Sequence, residues 1–294
     1  MGILLGLATA LSWGSADLFA RFATRRIGTF RTMLYMQACG FCLVTLAMPR
    51  LGGWGHLFDG SGWQPWAWGI LAGVLNTFST LALYRSFEIG KLSIVAPISA
   101  SYPVLTIVLS ALSGERLTAL RLAGLALSIA GVVVVARGEH EPDDANSIDG
   151  PNRPGKKRLG VGWAIFSAAC FGVMFWLLGL RVVPLLGSAP SVWIIRLTSA
   201  LTTALVMLFA GQSRALPPRR DTLLLVGVGA LDTCAYVFNN YGMAREQTSV
   251  VSVLASLYGA VTVALAALLL REKVSPSQWL GIIAIFIGIM LISR

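Results

Sequence analysis

Asp232, Tyr236 and Asn240 are spaced four residues apart inside a run of small and apolar residues. On a helix this spacing puts a carboxylate, a phenol and a carboxamide on one face. Asn76, Thr80 and Tyr84 repeat the spacing in an earlier apolar run. Two such stripes suit the walls of a polar cavity that holds a ligand by charge and hydrogen bonds. They suit hydrogen bonds between helices as well. Asp17 lies deep in the first apolar run, with Trp13 and Arg21 one turn to either side. It can pair with Arg21 at i, i+4, attract a ligand ammonium, or carry a proton. Arg196 either binds a carboxylate or snorkels to a surface. Ser99, Tyr102, Pro103 and Thr106 in one run stand against Ser252, Ser256, Tyr258 and Thr262 in another. Pro97 and Pro103 interrupt backbone pairing and leave carbonyls for other donors. Trp163, Ser167 and Met174 share a helical face, with Trp176 on a neighbouring one, and ring faces can stack an apolar group. The expected binding residues are Trp13, Asp17, Asn76, Thr80, Tyr84, Ser99, Tyr102, Trp163, Asp232, Tyr236, Asn240 and Ser256. Glu115 and Glu272 fall at ends of apolar runs beside cations and read as structural end charges.

The elements that position these groups follow from composition. The 294 residues are 56% hydrophobic and 12% charged, with a mean hydropathy of +0.74. A soluble domain carries about a quarter charged residues, so a solvent other than water must cover this surface. Apolar stretches of about 20 residues, the length that crosses a bilayer, fall at 3–22, 31–49, 66–86, 92–112, 119–136, 159–180, 190–210, 221–243, 248–270 and 276–293. The first is read as a retained span, because its charges follow the apolar run and a cleaved signal has them in front. Trp54, Trp63, Trp66 and Trp68 fit an interfacial belt. Cys39, Cys42, Cys170 and Cys234 all lie in apolar runs and read as small apolar residues. H-E-x-x-H, G-x-S-x-G and G-x-x-x-x-G-K are missing, and His56 and His140 lie outside the spans. Neither an enzyme nor a cofactor or metal site is expected. The net charge of +10 (23 − 13) sits between spans, where it sets orientation, and does not imply nucleic acid.

Residues 138–158 are polar and proline-rich, and read as a linker between residues 1–137 and 159–294. These two parts repeat one pattern. Glu115, Gly124, Gly131 and Arg137 match Glu272, Gly281, Gly288 and Arg294 at one offset, 272 − 115 = 157. Tyr84 and Tyr241 share it, and Trp13-Gly14 matches Phe171-Gly172 at 158. Sixteen basic residues lie in the odd-numbered loops and six in the even loops and at the termini; Arg196 completes the 23. The odd loops are therefore expected in the cytoplasm and both termini on the periplasmic side. The fold class is all-α integral membrane, with ten transmembrane helices as two inverted five-helix repeats.

The duplicated small-Glu-basic block before a span with glycines seven apart resembles the EamA-type permeases of the drug/metabolite transporter superfamily. Ser12-Trp13-Gly14-Ser15, Pro97 and the ten-span layout fit it too. The resemblance covers nearly the whole chain, and size and layout are similar to the YddG-type amino-acid exporters. It implies a secondary transporter that exports amino acids, aromatic or apolar ones among them, or related metabolites. Sugar-linked or nucleotide-like solutes are the alternative, disfavoured by the few cations inside spans. An intramembrane enzyme or receptor would need a catalytic set or signalling domain. The expected partners are a small-molecule substrate and the lipid bilayer of a cell membrane (the inner one in a bacterium); a monomer is compatible with the sequence.

Overall fold

A computed structural model describes residues 2–60, 62–113, 118–137, 154–213, 215–243, 245, 254–272 and 274–292. Apolar runs this rich in Leu, Ala and Ile, bounded by Gly and Pro, satisfy their backbone internally as helices. In order these are α1 (Gly2–Ile27), α2 (Thr29–Ala47), α3 (Gln64–Ile89), α4 (Leu92–Ser99), α5 (Pro103–Leu112) and α6 (Ala119–Arg137). Then come α7 (Pro154–Leu177), α8 (Val183–Leu186), α9 (Ser188–Phe209), α10 (Arg219–Met243), α11 (Tyr258–Leu265) and α12 (Pro276–Ile292). No strand occurs among the described residues. Among the described residues six helical stretches are long and apolar enough to cross a membrane, from Thr29–Arg50 to Arg219–Gly242; Ala119–Val135, Leu254–Leu270 and Pro276–Leu291 are shorter apolar helices.

The distribution of side chains is inverted relative to a water-soluble protein. Leu46, Phe209 and Leu223 are about four-fifths exposed, whereas Arg21, Arg196, Asn76 and Gln37 are buried. An apolar exterior of this extent is solvated by lipid. The chain is a multi-pass membrane protein.

Three helix pairs dominate the packing: α6 on α12, α1 on α10, and α3 on α7. The α6–α12 seam depends on glycine. A Cβ on Gly281 would stand 2.8 Å from the Gly131 carbonyl, and one on Gly131 would stand 2.6 Å from the Gly281 carbonyl. One on Gly288 would press on the Gly124 carbonyl at 2.6 Å. The glycines that mark the repeat are thus the contact points where two backbones meet. Another contact recurs as well. A Cβ on Gly14 would meet Val261 and the Tyr258 carbonyl, and one on Gly172 would meet Leu105 and the Tyr102 carbonyl.

Register differs from a constant offset for a local reason. Gly14 and Gly172 are 172 − 14 = 158 apart. Gly28 and Gly187, each a one-residue link between helices, are 159 apart and share a conformation (φ 85°, ψ 162° and φ 88°, ψ 170°) that only glycine adopts readily. The π-turn Leu178–Val182 lies between, and such a turn takes up one extra residue. Tyr102 and Tyr258 are 156 apart, Glu115 and Glu272 157, with the π-turn Ala266–Leu270 between.

Several boundaries differ from the sequence reading. The fourth span is broken: α4 ends at Ser99 and α5 begins at Pro103, because Pro103 has no N–H for the ladder. The expected linker shortens, since residues 154–158 are helical, with Pro154 at the first position where proline is favoured. Residues 138–153, Glu115 and Ser252 lie outside the described residues. The arginines after the first span stay helical until Gly28. Gly281→Ala should destabilise the chain by about 1–3 kcal/mol through overpacking, read as a fall in thermal midpoint in detergent; Gly162→Ala, where the space is open, should not.

Candidate functional site

Twelve residues from the helix assembly line a cavity. α1 supplies Trp13, Ala16 and Asp17, α3 supplies Thr80, Leu83 and Tyr84, and the break between α4 and α5 supplies Tyr102. α7 adds Phe171 and Phe175, α10 adds Asp232 and Tyr236, and α11 adds Tyr258. Phe175 stacks on Tyr102 at 4.6 Å between centroids and lies 11° from the plane of Tyr236. Trp13 stands edge-on to Phe175, Tyr236 and Tyr258 at 6.0, 5.2 and 5.8 Å. Stacked and edge-on pairs hold one another rigid, so the wall is preformed.

The two cavity carboxylates differ. Asp232 Oδ2 accepts a hydrogen bond from Arg196 Nη2 at 2.5 Å, while Arg196 Nη1 donates to Gln37 Oε1 at 2.8 Å. The guanidinium lies 5.0 Å from the Tyr236 ring centroid, and Arg196 is not among the lining residues. Gly40 makes room for it, since a Cβ there would stand 3.1 Å from Arg196 Nε. Asp17 accepts a hydrogen bond at 3.0 Å from the Thr262 hydroxyl, which also donates to the Tyr258 carbonyl. Among the described residues Asp17 has no ion-pair partner.

The expected Asp17–Arg21 pair does not form. The Arg21 guanidinium reaches the carbonyls of Phe87 and Gly90 at the end of α3, and Glu272 at 3.4 Å. Those carbonyls ending α3 lack helical partners and are a better sink for a guanidinium than a carboxylate on its own helix. Glu272 also accepts from the backbone N–H of Leu92 and Ser93 and from the Ser93 hydroxyl, at 3.2, 2.8 and 2.7 Å. It therefore caps α4, where a negative charge is favourable. Arg196 does not snorkel: it is buried to 1%, held by Asp232 and Gln37.

Seven of the expected binding residues share the cavity: Trp13, Asp17, Thr80, Tyr84, Tyr102, Asp232 and Tyr236. Asn76 stands one turn behind, accepting from the Tyr236 hydroxyl at 2.7 Å and donating to Ser199 at 3.0 Å. Asn240 ties α10 to α9 through the Ser188 carbonyl at 3.1 Å. Ser99 donates to the Ala164 carbonyl at 3.4 Å, a helix–helix contact. Ser256 is buried away from the lining. Trp163 is 38% exposed and edge-on to exposed Phe166, so its ring faces outward, while Ser167 and Met174 are buried. Trp54 and Trp66 gather with Phe58 around Trp193, while Trp63 is exposed. Phe171, Phe175, Ala16, Leu83 and Tyr258 complete the lining beyond the expected set. The i, i+4 spacing of Phe171 and Phe175 puts both rings on one helical face but does not say whether lipid or a cavity lies against it. Among the described residues no three His, Cys, Asp or Glu side chains gather as a metal would need.

The family model that matches is the EamA-like transporter family, over residues 1–137 and again over 158–294. The chain belongs to the EamA-like transporter family. It is therefore a membrane transporter of small solutes, and the cavity lies in a protein built for passage. An uncharacterised protein of Methanocaldococcus jannaschii is 27% identical over 136 residues, which are 46% of this chain and 95% of that protein. A solved crystal structure of a protein shares the fold, with a TM-score of 0.68 and 18% identity over 99% of this chain and 95% of its own.

Removing one member of the Arg196–Asp232 pair leaves a buried charge alone. Asp232→Leu or Arg196→Met should each cost about 3–5 kcal/mol, and the double variant should recover most of it. Denaturation of the three purified variants measures this as a double-mutant cycle.

Proposed function

We propose that this EamA-like transporter is a secondary carrier that exports amino acids, apolar or aromatic ones foremost, or related small metabolites. It works by alternating access between two inverted five-helix repeats, residues 1–137 and 159–294. The cavity carries this reading: a carboxylate, Asp17, set among seven aromatic rings drawn from both parts of the chain. A substrate ammonium meets Asp17, and an apolar or aromatic side chain meets the rings.

Three observations support the repeats. The Gly14–Tyr258 and Gly172–Tyr102 contacts exchange one part for the other. The two matched segments begin 158 − 1 = 157 residues apart, the offset of the Glu and Gly motifs. A protein matched over 95% of its length corresponds to 46% of this chain, as a single repeat would. Inverted repeats put the site where they meet and let one rock against the other. At one end Arg21 and Glu272 tie α1, α3 and α4 to the segment before α12, a contact that must open on one half-cycle. The basic odd-numbered loops favour a cytoplasmic position for that end, and both termini in the periplasm of a bacterial inner membrane.

In proteoliposomes loaded with candidate solutes, counterflow should single out amino acids or their relatives. Tyr236→Ala should cut that flux about tenfold or more with the folded protein retained; unchanged flux removes Tyr236 from the site. A reporter fused to the C-terminus should behave as periplasmic, and cytoplasmic activity would reverse the topology.

A further inference from the structure

Reading the cavity as the substrate site leaves its specificity to be decided by charge. Asp17 and Asp232 both line it, whereas Arg196 is behind the Tyr236 ring and bound to Asp232 and Gln37. Asp232 is paired with Arg196, and Asp17 is the carboxyl group left over. Among the described residues no Lys, Arg or His side chain lines the cavity. Tyr84, Tyr102 and Tyr258 offer phenol hydroxyls, which donate hydrogen bonds but supply no positive charge. A substrate carboxylate would enter a desolvated space beside two carboxyl groups, with no cation among the described lining residues to meet it, which is costly. An ammonium meets the opposite situation. It can lie against Asp17 and beside the Trp13 and Tyr258 rings, whose negative π clouds attract cations.

Resting on that reading of the site, we propose that the preferred substrates are organic amines without a carboxylate, aromatic or apolar monoamines carrying one positive charge. Asp17 and the rings around it bind the ammonium, and zwitterionic amino acids are the weaker ligands. Arg196 neutralises Asp232, so a single positive charge balances the cavity. The aromatic wall takes the remainder of the molecule, and its edge-on contacts with Trp13 leave ring faces for a flat substituent.

The test compares three probes of one skeleton on the purified full chain by calorimetric titration: 2-phenylethylamine, L-phenylalanine and 2-phenylethanol. The amine should bind about tenfold tighter or more than either the amino acid or the alcohol. Asp17→Asn should remove most of that advantage while leaving alcohol binding in place, and Asp17→Glu should retain it. The comparison on the unaltered chain stands even if Asp17→Asn fails to fold. Binding of L-phenylalanine as tight as the amine, or of the alcohol as tight as the amine, overturns the proposal. So does absence of binding by all three. Counterflow distinguishes the larger reading: flux of amino acids without amines sinks only the amine specificity, whereas no flux of any small organic solute sinks the transporter site itself.

Discussion

The Arg196–Asp232 ion pair is the interaction on which the rest of the interior depends. An arginine buried to 1% in a protein with an apolar exterior has no water to fall back on. Its neutrality therefore comes from Asp232, and a second side-chain partner from Gln37 on α2. The pair thereby joins α2, α9 and α10. It needs Gly40 small, and it places the Tyr236 ring between itself and the cavity. Tyr236 in turn fixes Asn76, and Asn76 fixes Ser199. One charge pair thus propagates through a ring contact and hydrogen bonds into four helices, α2, α3, α9 and α10, and one cavity wall.

The cavity makes chemical sense in that frame. A membrane helix bundle can hide polar side chains only by pairing them or by keeping a space for something else to pair with. Most of the polar residues here follow the first course. Ser99, Ser128, Ser167, Asn240 and Thr106 all bond to backbone carbonyls of neighbouring helices. Asp17 follows the second, with only a hydroxyl from Thr262 as its described donor. It is surrounded by rings that exclude water and so sharpen any electrostatic contact made there.

Much of the fold was legible because lipid leaves few options. Apolar runs of spanning length had to be helices, and most of their described boundaries came out within a few residues; the exceptions are the proline break near Ser101, the continuation of α1 through Arg25 and Arg26 and the start of α7 at Pro154, while the start of the run at 248–270 lies outside the described residues. The site was legible in part. Polar stripes marked helices that line the candidate cavity, since Thr80, Tyr84, Asp232 and Tyr236 do reach it. Spacing could not say where each stripe leaves it. Asn76 and Asn240 each stand at one end of a stripe, outside the lining, and bond to Tyr236 and to the Ser188 carbonyl instead. Partner choice was also hidden. That Arg21 would prefer the carbonyls ending α3 to Asp17, or that Arg196 would meet Asp232, depends on packing between segments far apart in sequence. The aromatic lining was concealed for a different reason: Phe171 and Phe175 look the same whether they face lipid or a cavity.

The two π-turns carry a mechanical consequence. An extra residue in an uninterrupted α-helix turns everything beyond it by about 100°, whereas a π-turn takes the residue up within one turn. Tyr258, before Ala266–Leu270, therefore keeps its place in the cavity wall while Glu272, after it, still reaches the start of α4. Such a helix can change length without either end losing its aim.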